Sequence, residues 1–335
     1  MRILVTGGAG FIGSCFLHTF VHRFPEHHFI TVDALTYAGH LANLKGLLHA
    51  KNHTFIRGDI REPSVIQGIF SEHQPDHIVH FAAESHVDRS ITGPKDFIET
   101  NVTGTFNLLE AARGLWKGKE SGKRFHHIST DEVFGSLGDE GFFTEETPYS
   151  PRSPYSASKA ASDHLVMAYH HTYGLPVSLT NCSNNYGPRQ NPEKLIPLMT
   201  LHALSGKLLP VYGKGGNIRD WLHVEDHCEA IWKVMTEGRV GEAYLVGGRS
   251  ERNNLQVVAA ILDSAAKETG QSREKLESLI SFVPDRLGHD WRYAIDASKI
   301  TNELGWSPKH TFEDGIRETV AWYIENKVWL AEVTA

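Results

Sequence analysis

Short apolar runs alternate with amphipathic stretches through the first half of the chain. Arg2-Ile3-Leu4-Val5-Thr6 reads as a strand, and Ser14 to Phe24 carries its apolar positions at helical spacing. Strands follow at Phe29 to Val32, His53 to Arg57 and His77 to Phe81, with a helical stretch at Pro63 to Phe70. Thr100 to Ala112 puts Val102, Phe106, Leu109 and Ala112 on one helical stripe. Phe125 to Ser129 is an apolar-rich strand, a helix opens at Tyr155, and Val177 to Thr180 gives a sixth strand. Repeated strand–helix units predict an α/β fold with a doubly wound, Rossmann-type parallel sheet and its ligand at the carboxyl ends of the strands. Beyond Lys194 the alternation loosens. Leu195 to Leu204 and Glu225 to Thr236 read as helices, Leu208 to Tyr212 and Arg219 to Val224 as short strands. Ala243 to Val246 reads as a return to the main sheet, and Leu255 to Thr269 and Thr311 to Trp329 as C-terminal helices. The predicted division is residues 1–180, plus return segments near 218–247, for the sheet domain. Residues 181–217 and 248–335 form a smaller α/β domain.

Between the first strand and helix stand Gly7, Gly10 and Gly13, a GxxGxxG loop. Bare backbone there can approach a pyrophosphate seated on the free N–H groups of the helix start. A plain glycine turn would leave the same trace, so the context decides. The second strand ends at Asp33, about 20 residues past the loop, where a carboxylate can take the adenosine ribose hydroxyls and repel a 2′-phosphate. The pattern therefore favours NAD over NADP, with Asp59 at the next strand end placed to meet adenine. Ala82-Ala83-Glu84-Ser85-His86 follows the fourth strand, and its small residues let the chain pass close to a cofactor.

The densest chemistry lies between Phe125 and Lys159. Thr130, Asp131 and Glu132 leave a strand end directly, and Tyr155 precedes Lys159 by one helical turn. The ammonium is expected beside the phenol, pulling a pKa of roughly 10 towards neutrality. Adjacent residues usually diverge, so Asp131 and Glu132 need irregular backbone if both are to reach one substrate. After the sixth strand, Asn181 to Arg189 is a loop too rich in side-chain amides to be a simple connector.

Composition narrows the classes. The 335 residues carry a net charge of −7 with no basic stripe, which argues against nucleic acid. Cys15, Cys182 and Cys228 are odd in number and far apart, as expected of reduced thiols in the cytoplasm. No apolar run approaches the ~20 residues of a membrane span. There are 21 histidines, but those at 27–28, 126–127 and 170–171 are adjacent pairs that diverge, and neither HExxH nor CxxC occurs. No metal is expected.

With these residues laid out, the chain resembles the extended short-chain dehydrogenase/reductase family over its whole length, nearest its nucleotide-sugar 4,6-dehydratases. The carriers are Thr130-Asp131-Glu132-Val133 with Gly135, Tyr155 with Lys159, and the stretches Ala82 to Ser90, Asn181 to Pro188, Arg219 to Trp221 and Asp285 to Asp290. Phe134 stands where the family has tyrosine, and Leu287 where it has proline. The resemblance implies a dTDP-glucose substrate beside a resident NAD. It implies C4 oxidation by Tyr155, with Lys159 and Thr130 in support, then loss of water through Glu132 as base at C5 and Asp131 as acid at C6. Hydride then returns to C6. Implied cofactor contacts are Gly7, Gly10, Phe11, Ile12, Gly13, Asp33, Ala34, Leu35, Thr36, Asp59, Ile60, Phe81, Ala82, Ala83, Ser85, Thr100, Ser129, Tyr155, Lys159 and Asn185. Implied substrate contacts are Ser85, His86, Thr130, Asn184, Lys194, Leu195, Pro210, Val211, Tyr212, Arg219, Asn254, Arg286 and His289, with Arg219 and Arg286 on the diphosphate. A homodimer through the Thr100–Ala112 and Tyr155–His171 helices is implied as well. Three alternatives stay open: a UDP-hexose 4,6-dehydratase, a nucleotide-sugar 4-epimerase, and an NAD-binding regulatory protein.

Overall fold

A computed structural model describes residues 1–286 and 288–334, so the expectation attached to Leu287 lies outside the described residues. The first half runs β1 (Arg2–Thr6), α1 (Phe11–Arg23), β2 (His28–Asp33), β3 (His53–Arg57), α2 (Pro63–His73) and β4 (His77–His80). It continues with α3 (Val87–Thr92), α4 (Pro94–Phe97), α5 (Thr105–Trp116), β5 (Arg124–Thr130), α6 (Pro154–Tyr173) and β6 (Val177–Cys182). The second half has β7 (Asn184–Tyr186), α7 (Leu195–Ser205), β8 (Leu209–Tyr212), β9 (Ile218–His223), α8 (Val224–Glu237) and β10 (Glu242–Val246). It ends with β11 (Glu251–Asn253), α9 (Asn254–Thr269), α10 (Arg273–Glu277), β12 (Ile280–Val283), α11 (Ser298–Leu304), α12 (Phe312–Glu325) and α13 (Lys327–Thr334).

Seven parallel strands form one sheet in the order β10-β6-β5-β4-β1-β2-β3, the doubly wound α/β architecture expected. The order reverses between β1 and β4, which opens a crevice at their carboxyl ends. The central strands β4, β5 and β6 are buried on both faces, which encloses polar side chains such as His80, His126 and His127 with the apolar ones. One face packs Phe16, Phe20 and Ile231 from α1 and α8; the other packs Phe70, Leu109 and Val166 from α2, α5 and α6.

Two expectations of detail change. The Arg219–Val224 strand does not return to the large sheet: β9 pairs with β7 and β11 in a separate three-stranded sheet. The chain returns with α8 and β10, and β10 lies beside β6. The helix expected from Thr100 begins instead at Pro94 and runs through a π-helical stretch, Ile98–Gly104, before α5. The wider turn seats Asn101 inside the fold. Its Oδ1 accepts from the Glu84 amide at 2.8 Å, and its Nδ2 donates to Glu84 O at 3.0 Å and to Ser158 Oγ at 2.8 Å. Phe134 packs on Phe143 and Tyr149 at centroid distances of 5.2 and 5.1 Å, so the ring keeps an apolar role at this position.

Candidate active site

The cavity at the sheet reversal encloses about 610 Å³ and is walled by the glycine loop, the ends of β2, β4 and β5, α6 and the Cys182–Asn185 loop. Gly7 has φ +70°, and a Cβ there would stand 2.6 Å from Ala82 N. A Cβ on Gly13 would stand 2.3 Å from Gly7 O. Both positions exclude any side chain, and α1 starts at Gly10 with no side-chain cap and no acid in its first turn. Its exposed N–H groups therefore offer a bare cradle for a diphosphate. Asp33 closes the far side, with its two oxygens accepting from Leu35 N at 2.8 Å and Ala9 N at 2.9 Å. Burial pushes this carboxyl up against those two bonds. These features fit a dinucleotide.

Of the expected cofactor contacts, only Leu35 is absent from the cavity wall; it sits at φ +55° with its amide on Asp33. Asp59 lines the wall, but its carboxylate already takes the Arg61 guanidinium at 2.6 Å and the Arg61 amide at 2.9 Å. Arg61 was not foreseen; its position four residues past β3 carries no signal of its own.

The catalytic set is brought together. Ser153 caps α6 with a reciprocal Ser153–Ser156 box and Pro154 at its first turn, and the helix ends at Gly174 with φ +70°. That frame puts Tyr155 and Lys159 on the cavity wall one turn apart. At the end of β5 the chain tightens into a 3₁₀ turn, Asp131–Phe134, capped by the Thr130 hydroxyl accepting from the Glu132 amide at 3.3 Å. The turn is the irregular backbone that lets both acids line the cavity.

Electrostatics separate the two acids. Asp131 is buried, and burial followed by the Glu132 charge drives its pKa well above the ordinary value. Its Oδ2 has no hydrogen-bond partner. Burial raises Glu132 too, but Arg219 and Lys194 pull it back. The expected Lys159–Tyr155 effect is not what the structure shows. Burial, then the Glu132 charge, holds the phenol well up, while the neighbouring Thr130 hydroxyl works the other way. The Lys159 ammonium donates to Ile128 O at 2.7 Å and meets His127 Nε2 at 3.3 Å instead.

Among the expected substrate contacts, Ser85, Thr130, Asn184 and Lys194 line the cavity, and Lys194 Nζ donates to Ser85 O at 3.1 Å. His86, Leu195, Pro210, Val211, Tyr212, Arg219, Asn254, Arg286 and His289 stand outside that wall. Val211 packs in an apolar core, and His86 caps α3 by accepting from Arg89 N at 3.4 Å. Arg219 is buried, with its guanidinium donating to the carbonyls of Ile218, Asp290 and Trp291 and lying 4.2 Å from the Tyr293 ring centroid. Arg286 pairs with Asp88, its Nη2 donating to Oδ2 at 2.9 Å. Sequence reasoning missed Glu193, whose carboxyl lines the cavity 3.7 Å from both His86 and Arg89. Apart from this site, His223, His310 and Glu318 bring one ligand atom each within 4.8 Å of one another.

Comparison with known proteins places this geometry. The family described as GDP-mannose 4,6 dehydratase matches residues 4–319. A dTDP-glucose 4,6-dehydratase of Xanthomonas campestris pv. campestris (strain B100) is 58% identical over 98% of this chain and 95% of its own length. A dTDP-glucose 4,6-dehydratase of Streptomyces venezuelae, solved with NAD and dTDP bound, is 48% identical with a TM-score of 0.91 over 98% of each chain. Another from Bacillus anthracis, solved with NAD, is 48% identical with a TM-score of 0.88 over 99% of each.

Proposed function

This chain belongs to the family described as GDP-mannose 4,6 dehydratase, within the extended short-chain dehydrogenases/reductases, and on that premise we propose that it converts dTDP-glucose to dTDP-4-keto-6-deoxyglucose with retained NAD. The carrying observation is the acid pair on its 3₁₀ turn: adjacent carboxyls in one cavity with Tyr155, Asp131 raised by burial and the Glu132 charge, Glu132 raised by burial against the pull of Arg219 and Lys194. Two titratable groups forced apart by their surroundings divide the acid and base work between them.

Gly7, Gly10, Gly13 and the Phe11 and Ile12 amides would hold the NAD diphosphate, Asp33 the adenosine ribose, and Tyr155, Lys159 and Asn185 the redox end. When bound, NAD supplies a positively charged hydride acceptor and, once reduced, a hydride donor. Tyr155 must first give up the phenol proton that burial holds on it, helped by the Thr130 hydroxyl that works the other way; as phenolate it takes the proton of the C4 hydroxyl. A ketone at C4 acidifies C5, and Glu132, ionised, takes that proton. Asp131, neutral, protonates the departing C6 hydroxyl, so water leaves and not hydroxide. Glu132 then returns its proton to C5. An epimerase needs neither acid, and a buried carboxyl with an unpartnered oxygen is costly to keep without a use.

Incubation with dTDP-glucose and UDP-glucose in parallel, followed by mass spectrometry of the nucleotides, tests this. The dTDP product is lighter by one water; recovery of only a C4 epimer, or of unchanged substrate, rejects the reading. The titration of Asp131 adds a second check. Folding favours its neutral form, so its contribution to stability is complete at acid pH and is lost as pH rises through its raised folded value. Asp131→Asn should therefore melt near the wild type in acid and above it in alkali, while dehydration falls about 10²- to 10⁴-fold. Melting below the wild type throughout the alkaline range contradicts the assignment.

A homodimer through the outer faces of α4–α5 and α6 is part of the proposal. Ile98, Phe106 and Tyr173 are 49%, 44% and 51% exposed there. Sedimentation at the monomer mass rejects it. We further assign residues 1–180 with the return segment to NAD binding, and 181–217 with 248–335 to the sugar nucleotide. Packing of α8 and β10 against β5 and β6 supports that division. Free, buried Cys15, Cys182 and Cys228 support a cytoplasmic setting, and among the described residues no helix is long and apolar enough to cross a membrane.

A further inference from the structure

Lys159 is nearly fully buried, and burial works to strip its proton. A buried ammonium survives only with a fixed opposite charge nearby. The side chains around it are His80 on β4, His127 on β5, Cys182 on β6 and Tyr155 on its own helix, none of them an anion when protonation follows burial. The exception is Asp163, one turn further along α6 and 1% exposed; burial raises its carboxyl as well, but the Lys159 charge and the donors around it work against that. Its two oxygens are treated differently. Oδ2 receives Ser129 Oγ at 2.6 Å, Tyr149 OH at 3.0 Å and Asn181 Nδ2 at 3.4 Å. Oδ1 receives no full hydrogen bond and faces His127 Nε2 at 3.2 Å, the same ring nitrogen that meets Lys159 Nζ at 3.3 Å.

We propose that Asp163 is a positioning residue for the reaction above: three donors lock its Oδ2, and the free Oδ1 presents the counter-charge that keeps Lys159 an ammonium at the cavity wall. The inference rests on the proposed function, which sets Lys159 with Tyr155 at the redox end of the cavity. His127 stands between the two as a ring that burial keeps neutral, its Nε2 also 3.2 Å from Ser162 Oγ. Nothing in the reaction needs Asp163 to touch the sugar or the nicotinamide.

Asp163→Asn keeps shape and most donors but removes the charge. Turnover of dTDP-glucose is expected to fall about 10- to 100-fold, the scale of losing an outer-shell partner, with KM little changed. The alkaline limb of the kcat profile moves to lower pH, because Lys159 gives up its proton sooner. Tyr149→Phe removes one bond to the same carboxylate but leaves the charge, so its limb stays where the wild type has it. An Asp163→Asn profile superimposable on the wild type overturns the proposal. So does an equal shift in both variants, which would make the carboxylate scaffolding. A double-mutant cycle of Asp163→Asn with Lys159→Met, read in thermal melts without substrate, decides the matter independently of turnover. Coupled charges make the double variant lose less than the sum of the singles; strict additivity overturns the proposal. If the wild type itself fails to convert dTDP-glucose, the functional reading falls, and the cycle alone judges Asp163.

Discussion

Glu132→Gln halts the reaction after its first half. The amide matches the carboxylate in size but cannot take the C5 proton, so the 4-keto-6-deoxy product is expected to fall about 10²- to 10⁴-fold. C4 oxidation does not use Glu132, and absorbance of reduced nicotinamide should build up and persist when dTDP-glucose is added. In the wild type that signal is transient. Neutralising Glu132 also removes a charge that, after burial, holds the Tyr155 phenol up. Full dehydration by the variant would show that Glu132 is not the base.

Tyr155→Phe acts earlier and silences both halves. The phenol is the group placed to receive the C4 hydroxyl proton, and phenylalanine keeps the ring that meets Phe97 at a centroid distance of 6.3 Å. The variant should fold, and titration by intrinsic fluorescence should still report NAD binding. Product and reduced nicotinamide should both fall about 10²- to 10⁴-fold. The two variants thus divide one reaction: Glu132→Gln separates oxidation from elimination, and Tyr155→Phe removes both. A Tyr155→Phe protein that still reduces NAD in the presence of dTDP-glucose contradicts the assignment.

The parts of the site that could be read along the chain are those fixed by local rules. A glycine loop between strand and helix, an acid at the end of the second strand and a Tyr–Lys pair one turn apart each carry their geometry within a few residues. Two neighbouring acids on one substrate demand irregular backbone after β5, and the 3₁₀ turn at Asp131 supplies it. What could not be read depends on partners far away in sequence. Lys159 was expected on the phenol, but Ile128 O and His127, some 31 and 32 residues earlier, take its ammonium. Arg219 carries an obvious phosphate-binding chemistry, yet carbonyls from Asp290 and Trp291 occupy its donors. Strand Ile218–His223 has the apolar pattern of a sheet member, and no pattern says which sheet; only the pairing with β7 and β11 settles it. Asp163 passed as one more polar residue on a helix because its neighbours come from β5, the loop before α6 and β6.

The π-helical stretch has an effect beyond its own backbone. Asn101 there grips Glu84, in the segment along the cofactor cavity, and Ser158, next door to Lys159. Ile98 and Phe106, on the same continuous helical run, stand out towards solvent. One side chain thus ties an outward-facing helical run both to the wall of the reaction chamber and to the residue beside the lysine.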